Sequence, residues 1–253
     1  MSLLEIESVS KRFGSLLAVN EVSFKVEMGD ILGIIGPNGA GKSTLFNMLS
    51  GIYRPDSGQI VFAGRSIVGL PPERIAPLGI SRTFQNLRLF TNASALQNVL
   101  VGEHARLHSN IFDALVNSPR ERRESKEAYE RAYELLRYVG IEGVGESFAR
   151  NLSYGTQRRL EIARALAASP SLLLLDEPAA GLNPSEKVEL VVLVRAIRSA
   201  GTTVVLIEHD MGLVMQLCER IVVFDRGERI ADGPPDEIRA DARVIEAYLG
   251  TPQ

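Results

Sequence analysis

What the sequence has little of narrows its class first. A single cysteine, Cys218, excludes an internal disulfide and suits a reducing compartment. No run of about 18 apolar residues occurs, so no segment is expected to cross a membrane as a helix. The start, Met1-Ser2-Leu3-Leu4-Glu5, lacks the charged segment and long apolar core of a secretory leader. An excess of positive charge is missing too. With 28 Lys and Arg against 31 Asp and Glu, the net charge is −3, which argues against a nucleic-acid partner. There is no internal repeat and no low-complexity tract. At 253 residues and 45% hydrophobic content, the chain is expected to be one large globular domain or one domain carrying an insertion.

What is there begins with Gly36-Pro37-Asn38-Gly39-Ala40-Gly41-Lys42-Ser43-Thr44, which fits the phosphate-loop pattern G-x-x-x-x-G-K-[ST] at every defined position. Ile31-Leu32-Gly33-Ile34-Ile35 before it reads as a buried strand. Leu45 to Ser50 after it is apolar at helical spacing, with Gly51 placed to end the helix. Strand, glycine loop and helix together make a fixed anion site. The glycines turn backbone N–H groups onto phosphate oxygens, and the helix N-terminus adds positive partial charge. Lys42 is expected to meet the β- and γ-phosphates of ATP, and Ser43 to offer its hydroxyl to Mg²⁺.

Earlier, Val22, Phe24 and Val26 alternate with Ser23, Lys25 and Glu27, a half-buried strand pattern, and residues 1–30 read as strands. Phe13 ahead of them either stacks on a nucleotide base or packs at an edge; spacing alone leaves both open. Residues 55–68 read as a hairpin. Pro71, Pro72 and Pro77 then break the chain. From Arg120 to Val139 one face is charged and the other carries Ala128, Ala132, Leu135, Leu136 and Val139. Glu127 and Arg131 form an i,i+4 pair, Gly140 ends the helix, and the charged run 120–124 reads as a solvated face. A helical subdomain over residues 86–165, inserted in an α/β core, is the simplest organisation.

The core resumes at Leu172-Leu173-Leu174-Leu175-Asp176-Glu177. Four leucines suit a strand buried on both faces of a parallel sheet. Acids at its end lie at the sheet's carboxyl edge, where α/β folds bind ligands. Asp176 there is expected to hold Mg²⁺ through water, and Glu177 to orient and deprotonate the attacking water. Thr202 to Ile207 is a further strand and delivers Glu208-His209-Asp210. His209 is either a γ-phosphate contact or a structural histidine. Cys218 reads as a small apolar packer.

Asn151-Leu152-Ser153-Tyr154-Gly155-Thr156-Gln157-Arg158-Arg159 completes the pattern, and with it the chain resembles the ATP-binding cassette (ABC) ATPases over nearly its whole length. The family signature LSGGQ is similar to Leu152-Ser153-Tyr154-Gly155-Thr156, departing at Tyr154 and Thr156. The resemblance implies an α/β phosphate-loop NTPase core with an antiparallel β subdomain and an inserted helical subdomain. It divides the chain into a β-rich and phosphate-loop part (1–85), the helical subdomain with the signature (86–165), the resumed core (166–235) and a helical tail (236–253). It implies that Ser153 and Gly155 contact phosphate, that Gln85 links Mg²⁺ to the helical subdomain, that His209 is the switch histidine and that Phe13 stacks on the base. Ala180-Gly181-Leu182-Asn183 resembles the loop that crosses the dimer interface, with Asn183 where many relatives carry aspartate.

Within that superfamily, Arg82-Thr83-Phe84-Gln85-Asn86, Ala179-Ala180-Gly181-Leu182-Asn183-Pro184, Ile207-Glu208-His209-Asp210-Met211 and Val244-Ile245-Glu246-Ala247-Tyr248-Leu249-Gly250 resemble the ATP-binding subunits of branched-chain amino acid importers. This implies a second ATPase subunit, identical or different, and transmembrane permease subunits. An external substrate-binding protein completes the assembly, at the cytoplasmic face of a bacterial or archaeal inner or plasma membrane. Importers of urea or other amides and lipopolysaccharide exporters are the alternatives. A cytosolic ABC ATPase is disfavoured, since this chain has neither a long coiled coil nor a second cassette. Intact Glu177 and His209 argue against a non-hydrolysing scaffold.

Overall fold

The computed structural model describes residues 2–85, 87–103 and 119–249. Asn86 of the Arg82–Asn86 motif, part of the expected helical insert (104–118) and the end of the tail (250–253) lie outside the described residues. So do the side chains of 120–122, within the charged run, and of Leu249. The chain divides into two compact units: Met1–Arg82 joined with Ser171–Gln253, and Thr83–Pro170.

Among the described residues the first unit holds ten strands: β1 (Ser2–Phe13), β2 (Leu16–Glu27), β3 (Ile31–Ile35), β4 (Ser57–Phe62), β5 (Arg65–Ser66), β6 (Ile80–Arg82), β7 (Leu172–Asp176), β8 (Thr203–Ile207), β9 (Arg220–Asp225) and β10 (Glu228–Gly233). They form two sheets. One is antiparallel in the order β2-β1-β4-β5, the other six-stranded in the order β10-β9-β3-β8-β7-β6. The second is parallel from β9 to β6, with β10 antiparallel at its edge. Every residue of β3, β7 and β8 is buried, as their unbroken apolar runs require of strands covered on both faces.

The helix Lys42–Leu49 lies in the core between the two sheets. Its Leu45, Phe46, Met48 and Leu49 join one cluster with Leu4, Ile6, Phe24 and Phe62 of the antiparallel sheet and Leu32, Leu174, Val205 and Phe224 of the parallel one. Phe24 meets Phe224 edge to face across the layers, 6.5 Å between ring centres. Cys218 is buried, its thiol pushed up to about 12 by burial. It packs against Gly33, where an added Cβ would come within 2.9 Å of the sulfur.

The second unit is helical. Ala95–Glu103, Pro119–Tyr138 and Tyr154–Ala167 pack on one another. Ala128, Ala132, Leu136 and Val139 are buried, so the expected apolar stripe is the packed face, while Leu135 is half-buried. The first and third helices approach closely at Gly102, where a Cβ would collide with the backbone carbonyl of Arg164. Arg131 bonds the buried Glu103 at 2.9 Å and lies 3.8 Å from Glu127, so the i,i+4 pair is the weaker of its two contacts.

Leu174 is fully buried between the layers. Leu174→Ala is expected to destabilise the chain by about 2–5 kcal/mol, read as a lower denaturation midpoint with an unchanged slope. A loss below half a kilocalorie would mean that the site collapses around the smaller side chain.

Candidate functional site

The phosphate loop joins the end of β3 to the helix Lys42–Leu49, and two of its glycines are sterically required. Gly36 has φ 147° and a Cβ there would run into the Phe224 carbonyl; Gly41 has φ 100° and a Cβ there would meet the Ala18 carbonyl. Strand β9 and the start of β2 therefore press directly on the loop backbone. Lys42 follows at the first helical position and is 8% exposed. Its Nζ donates to the carbonyls of Gly36 (2.6 Å) and Pro37 (2.8 Å), which aims the charge back over the loop. Burial lowers its pKa, while Glu177 and Asp176 oppose the shift. Ser43 beside it is exposed.

Because β3, β7 and β8 are parallel neighbours, their carboxyl ends deliver Lys42, Asp176–Glu177 and His209 to one edge of the sheet. Asp176 is 3% exposed and pairs with Arg82 at 2.8 Å. Arg82 also donates to Asn47 Oδ1 (2.7 Å) and Ser50 Oγ (2.9 Å), and its guanidinium lies 5.6 Å from the Phe46 ring centre. One arginine thus joins the end of β6, the phosphate-loop helix and the acid of β7. Glu177 sits at φ +48°, a left-handed conformation that a non-glycine residue holds only under constraint from its surroundings. Its N–H donates to the Ile207 carbonyl at 2.9 Å. Its carboxylate lies 3.8 Å from Nδ1 of His209, whose side chain is 63% exposed.

Phe13 ends β1 with 40% of its surface exposed. Tyr53 packs against it at 69°, 5.1 Å between centres, and Lys11 Nζ lies 5.5 Å from its ring centre. Asp56 steadies this corner by accepting from Lys11 Nζ and from the Arg12 N–H, both at 2.7 Å. Those bonds, with Lys11 first, hold the Asp56 carboxyl below the usual range.

In the second unit Ser153 caps the helix Tyr154–Ala167, its Oγ accepting from the Thr156 N–H at 3.3 Å and lying 2.8 Å from Thr156 Oγ1. Gly155 is buried in the first turn. Tyr154, where the signature departs, has a defined contact: its hydroxyl is 2.9 Å from Arg158 Nη2. Arg158 also donates to the carbonyls of Phe84 (3.0 Å) and Gln85 (2.7 Å). Glu161, 3.2 Å from Arg158, accepts from the Phe84 N–H, and burial raises its pKa. The backbone at Gln85 is thereby fastened to the signature helix. Asn183, where many relatives carry aspartate, caps the helix Pro184–Ser199 in a capping box with Glu186, a role either residue fills.

The first unit accordingly gathers Lys42, Asp176, Glu177 and His209. Gln85, Ser153 and Gly155 belong to the second unit. Sequence reasoning assigned nothing to Arg82, to Glu208 or to Tyr53. Their partners lie far along the chain, so spacing carries no signal of them. Among the described residues no cluster of three or more His, Cys, Asp or Glu side chains could hold a metal. The oxygen donors at Ser43 and Asp176 fit a hard cation shared with phosphate oxygens.

A glycine loop on a helix N-terminus, a lysine over it and two acids at the end of β7, one strand removed in the same parallel sheet, define a phosphate-loop nucleotide-hydrolysing fold. The family described as ABC transporter matches residues 19–180, and that described as branched-chain amino acid ATP-binding cassette transporter matches residues 228–252. The chain belongs to the ABC transporter family and is its ATP-binding, ATP-hydrolysing component. It is 48% identical to the high-affinity branched-chain amino acid transport ATP-binding protein BraF of Pseudomonas aeruginosa and 47% identical to LivG of Salmonella typhimurium, each match covering 98% of both chains. A nucleotide-free ATP-binding cassette from an ABC transporter superposes with TM-score 0.87 at 31% identity, over 99% of this chain and 100% of that one. The dimeric bacterial cassette MJ0796 follows with TM-score 0.79 at 25% identity, over 92% and 98%. That cassette is dimeric in its structure.

If Lys42 meets the nucleotide phosphates, Lys42→Ala removes a charge-assisted contact worth about 1.5–3 kcal/mol. The dissociation constant for ATP is expected to rise about ten- to hundredfold by calorimetry, with ATPase activity lost. An unchanged affinity would sink the phosphate-loop assignment.

Proposed function

We propose that this chain is the ATPase subunit of a branched-chain amino acid importer, held at the cytoplasmic face of a bacterial or archaeal membrane by permease subunits. The observation that carries the cargo is the near end-to-end likeness to BraF and LivG, joined to the match of residues 228–252 with a family described by that cargo. No helix among the described residues is long and apolar enough to cross a membrane; in this reading the permease subunits carry out translocation.

ATP lies with its phosphates along residues 36–44 and its base against Phe13. Lys42 meets the β- and γ-phosphates, where negative charge is densest. Ser43 and Asp176 would hold Mg²⁺, which when bound would neutralise charge on the phosphates. Glu177 takes the proton of the attacking water, and His209 beside it contacts the γ-phosphate. Ser153, Gly155 and the N-terminus of the signature helix face the γ-phosphate held by a second ATPase subunit, identical or different. ATP then bridges two subunits and favours their closed state by differential affinity. Hydrolysis removes the bridging charge and the pair reopens. An external substrate-binding protein presents the amino acid to the permease.

Two experiments test this reading. Glu177→Gln keeps the side-chain shape and removes the base, so hydrolysis is expected to fall by about 10²–10⁴ while ATP still binds. On size exclusion with its natural ATPase partner present, the variant should associate with ATP and separate with ADP, and adding Ser153→Arg should abolish the association. Glu177→Gln chains that stay monomeric with ATP would remove the composite-site reading.

The cargo is tested in proteoliposomes containing permease subunits and binding protein. Leucine, isoleucine or valine should accumulate with ATP and stimulate its hydrolysis, while the isolated chain should bind no leucine. Stimulation by urea or short amides in place of these amino acids, or tight leucine binding by the isolated chain, contradicts the assignment.

A further inference from the structure

Glu208 stands between the last residue of β8 and His209, and none of its surface reaches solvent. A fully buried carboxylate is costly unless its oxygens are satisfied. Here backbone N–H groups from two different loops serve. Oε1 accepts from the Ala179 N–H at 2.7 Å, in the turn that follows β7. Oε2 accepts from the His209 N–H at 3.1 Å and, more weakly, from the Asp210 N–H at 3.5 Å, in the loop that follows β8. One side chain therefore spans the segment carrying Glu177 and the segment carrying His209. The Ala179 turn is closed on Glu177 by its own bonds, Ala180 N–H to the Glu177 carbonyl (3.2 Å) and Glu177 N–H to the Ile207 carbonyl (2.9 Å). Nearer the surface Lys187, from the helix after the β7 turn, pairs with Asp210 at 2.6 Å and braces the same two segments.

The bland reading is a buried acid that only satisfies its own oxygens. Two features go beyond it. The residue held on one side of the clamp, Glu177, is in a left-handed conformation that its neighbours must enforce. The two side chains that the clamp controls, Glu177 and His209, stand 3.8 Å apart at the reacting edge. A carboxylate suits the span because both its oxygens accept only. A glutamine in the same shape would turn an N–H toward one of the loops and lose that loop's bond.

We propose that Glu208 is a positioning residue for ATP hydrolysis. It ties the turn after β7 to the loop after β8 and so fixes the general base Glu177 against His209. The inference rests on the reading of Glu177 and His209 given above. Without the clamp ATP is bound as before, since the phosphate loop is not touched, but the base no longer lines up with its water. A displacement of about 1 Å at a reacting group costs on the order of a hundredfold in rate.

The test is a double-mutant cycle on the full chain with its ATPase partner. Glu208→Gln is expected to lower kcat about ten- to hundredfold, with ATP affinity by calorimetry within about twofold of wild type. Glu208→Asp keeps the charge but is too short to reach both loops; it should behave alike and is the variant to read if the glutamine chain does not fold. Combined with His209→Ala, Glu208→Gln should add little further loss, because it acts through the geometry that His209→Ala already removes. An unchanged kcat, losses that multiply in the double variant, or ATP affinity falling in step with kcat would each overturn the proposal. Glu177→Gln measured alongside separates the two levels. If it loses activity while the Glu208 variants do not, the clamp alone is wrong. If it hydrolyses ATP at the wild-type rate, the general-base reading fails and takes the clamp with it.

Discussion

Three strands buried on both faces impose the constraint on which the site depends. Every residue of strands β3, β7 and β8 is buried, so charged groups can appear only where the strands stop. Being parallel neighbours, they stop on the same side. Asp176, Glu177 and His209 stand at or just past those stops, and Lys42 follows the phosphate loop that leaves β3; burial along the strands is what gathers them. The same packing sets the loop geometry, since Phe224 of the adjacent strand leaves no room for a side chain at position 36.

Legibility in the sequence follows from how local each constraint is. The phosphate loop could be read because its requirements fall within nine consecutive residues. The apolar runs announced buried strands, and the stripe over 120–139 announced a packed helix. What the sequence left unread has partners far away. Arg82 answers to Asp176, 94 positions on, and Arg158 to Gln85, 73 positions back. Glu208 reads as an ordinary strand-end acid until Ala179, 29 positions earlier, is seen to donate to it. Spacing rules cannot find such pairs, because the fold itself sets the distance. Tyr154 is the intermediate case. Its departure from the signature is visible in sequence, but its hydrogen bond to Arg158 is not.

The buried acids differ in what satisfies them, and the difference separates their roles. Asp176 pairs with a guanidinium, so its charge is balanced in place while it remains beside the phosphate loop. Glu161 has both an arginine and a backbone N–H, and the pair grips the chain at Phe84 and Gln85. Glu208 is bonded to backbone N–H groups, which satisfy its oxygens but cancel no charge. Burial pushes its carboxyl up while those bonds hold it down. Dipoles of fixed direction, unlike a flexible cation, also specify where the carboxylate must be. An acid satisfied in that way trades charge balance for geometry, which is what a group aligning a base with its histidine requires.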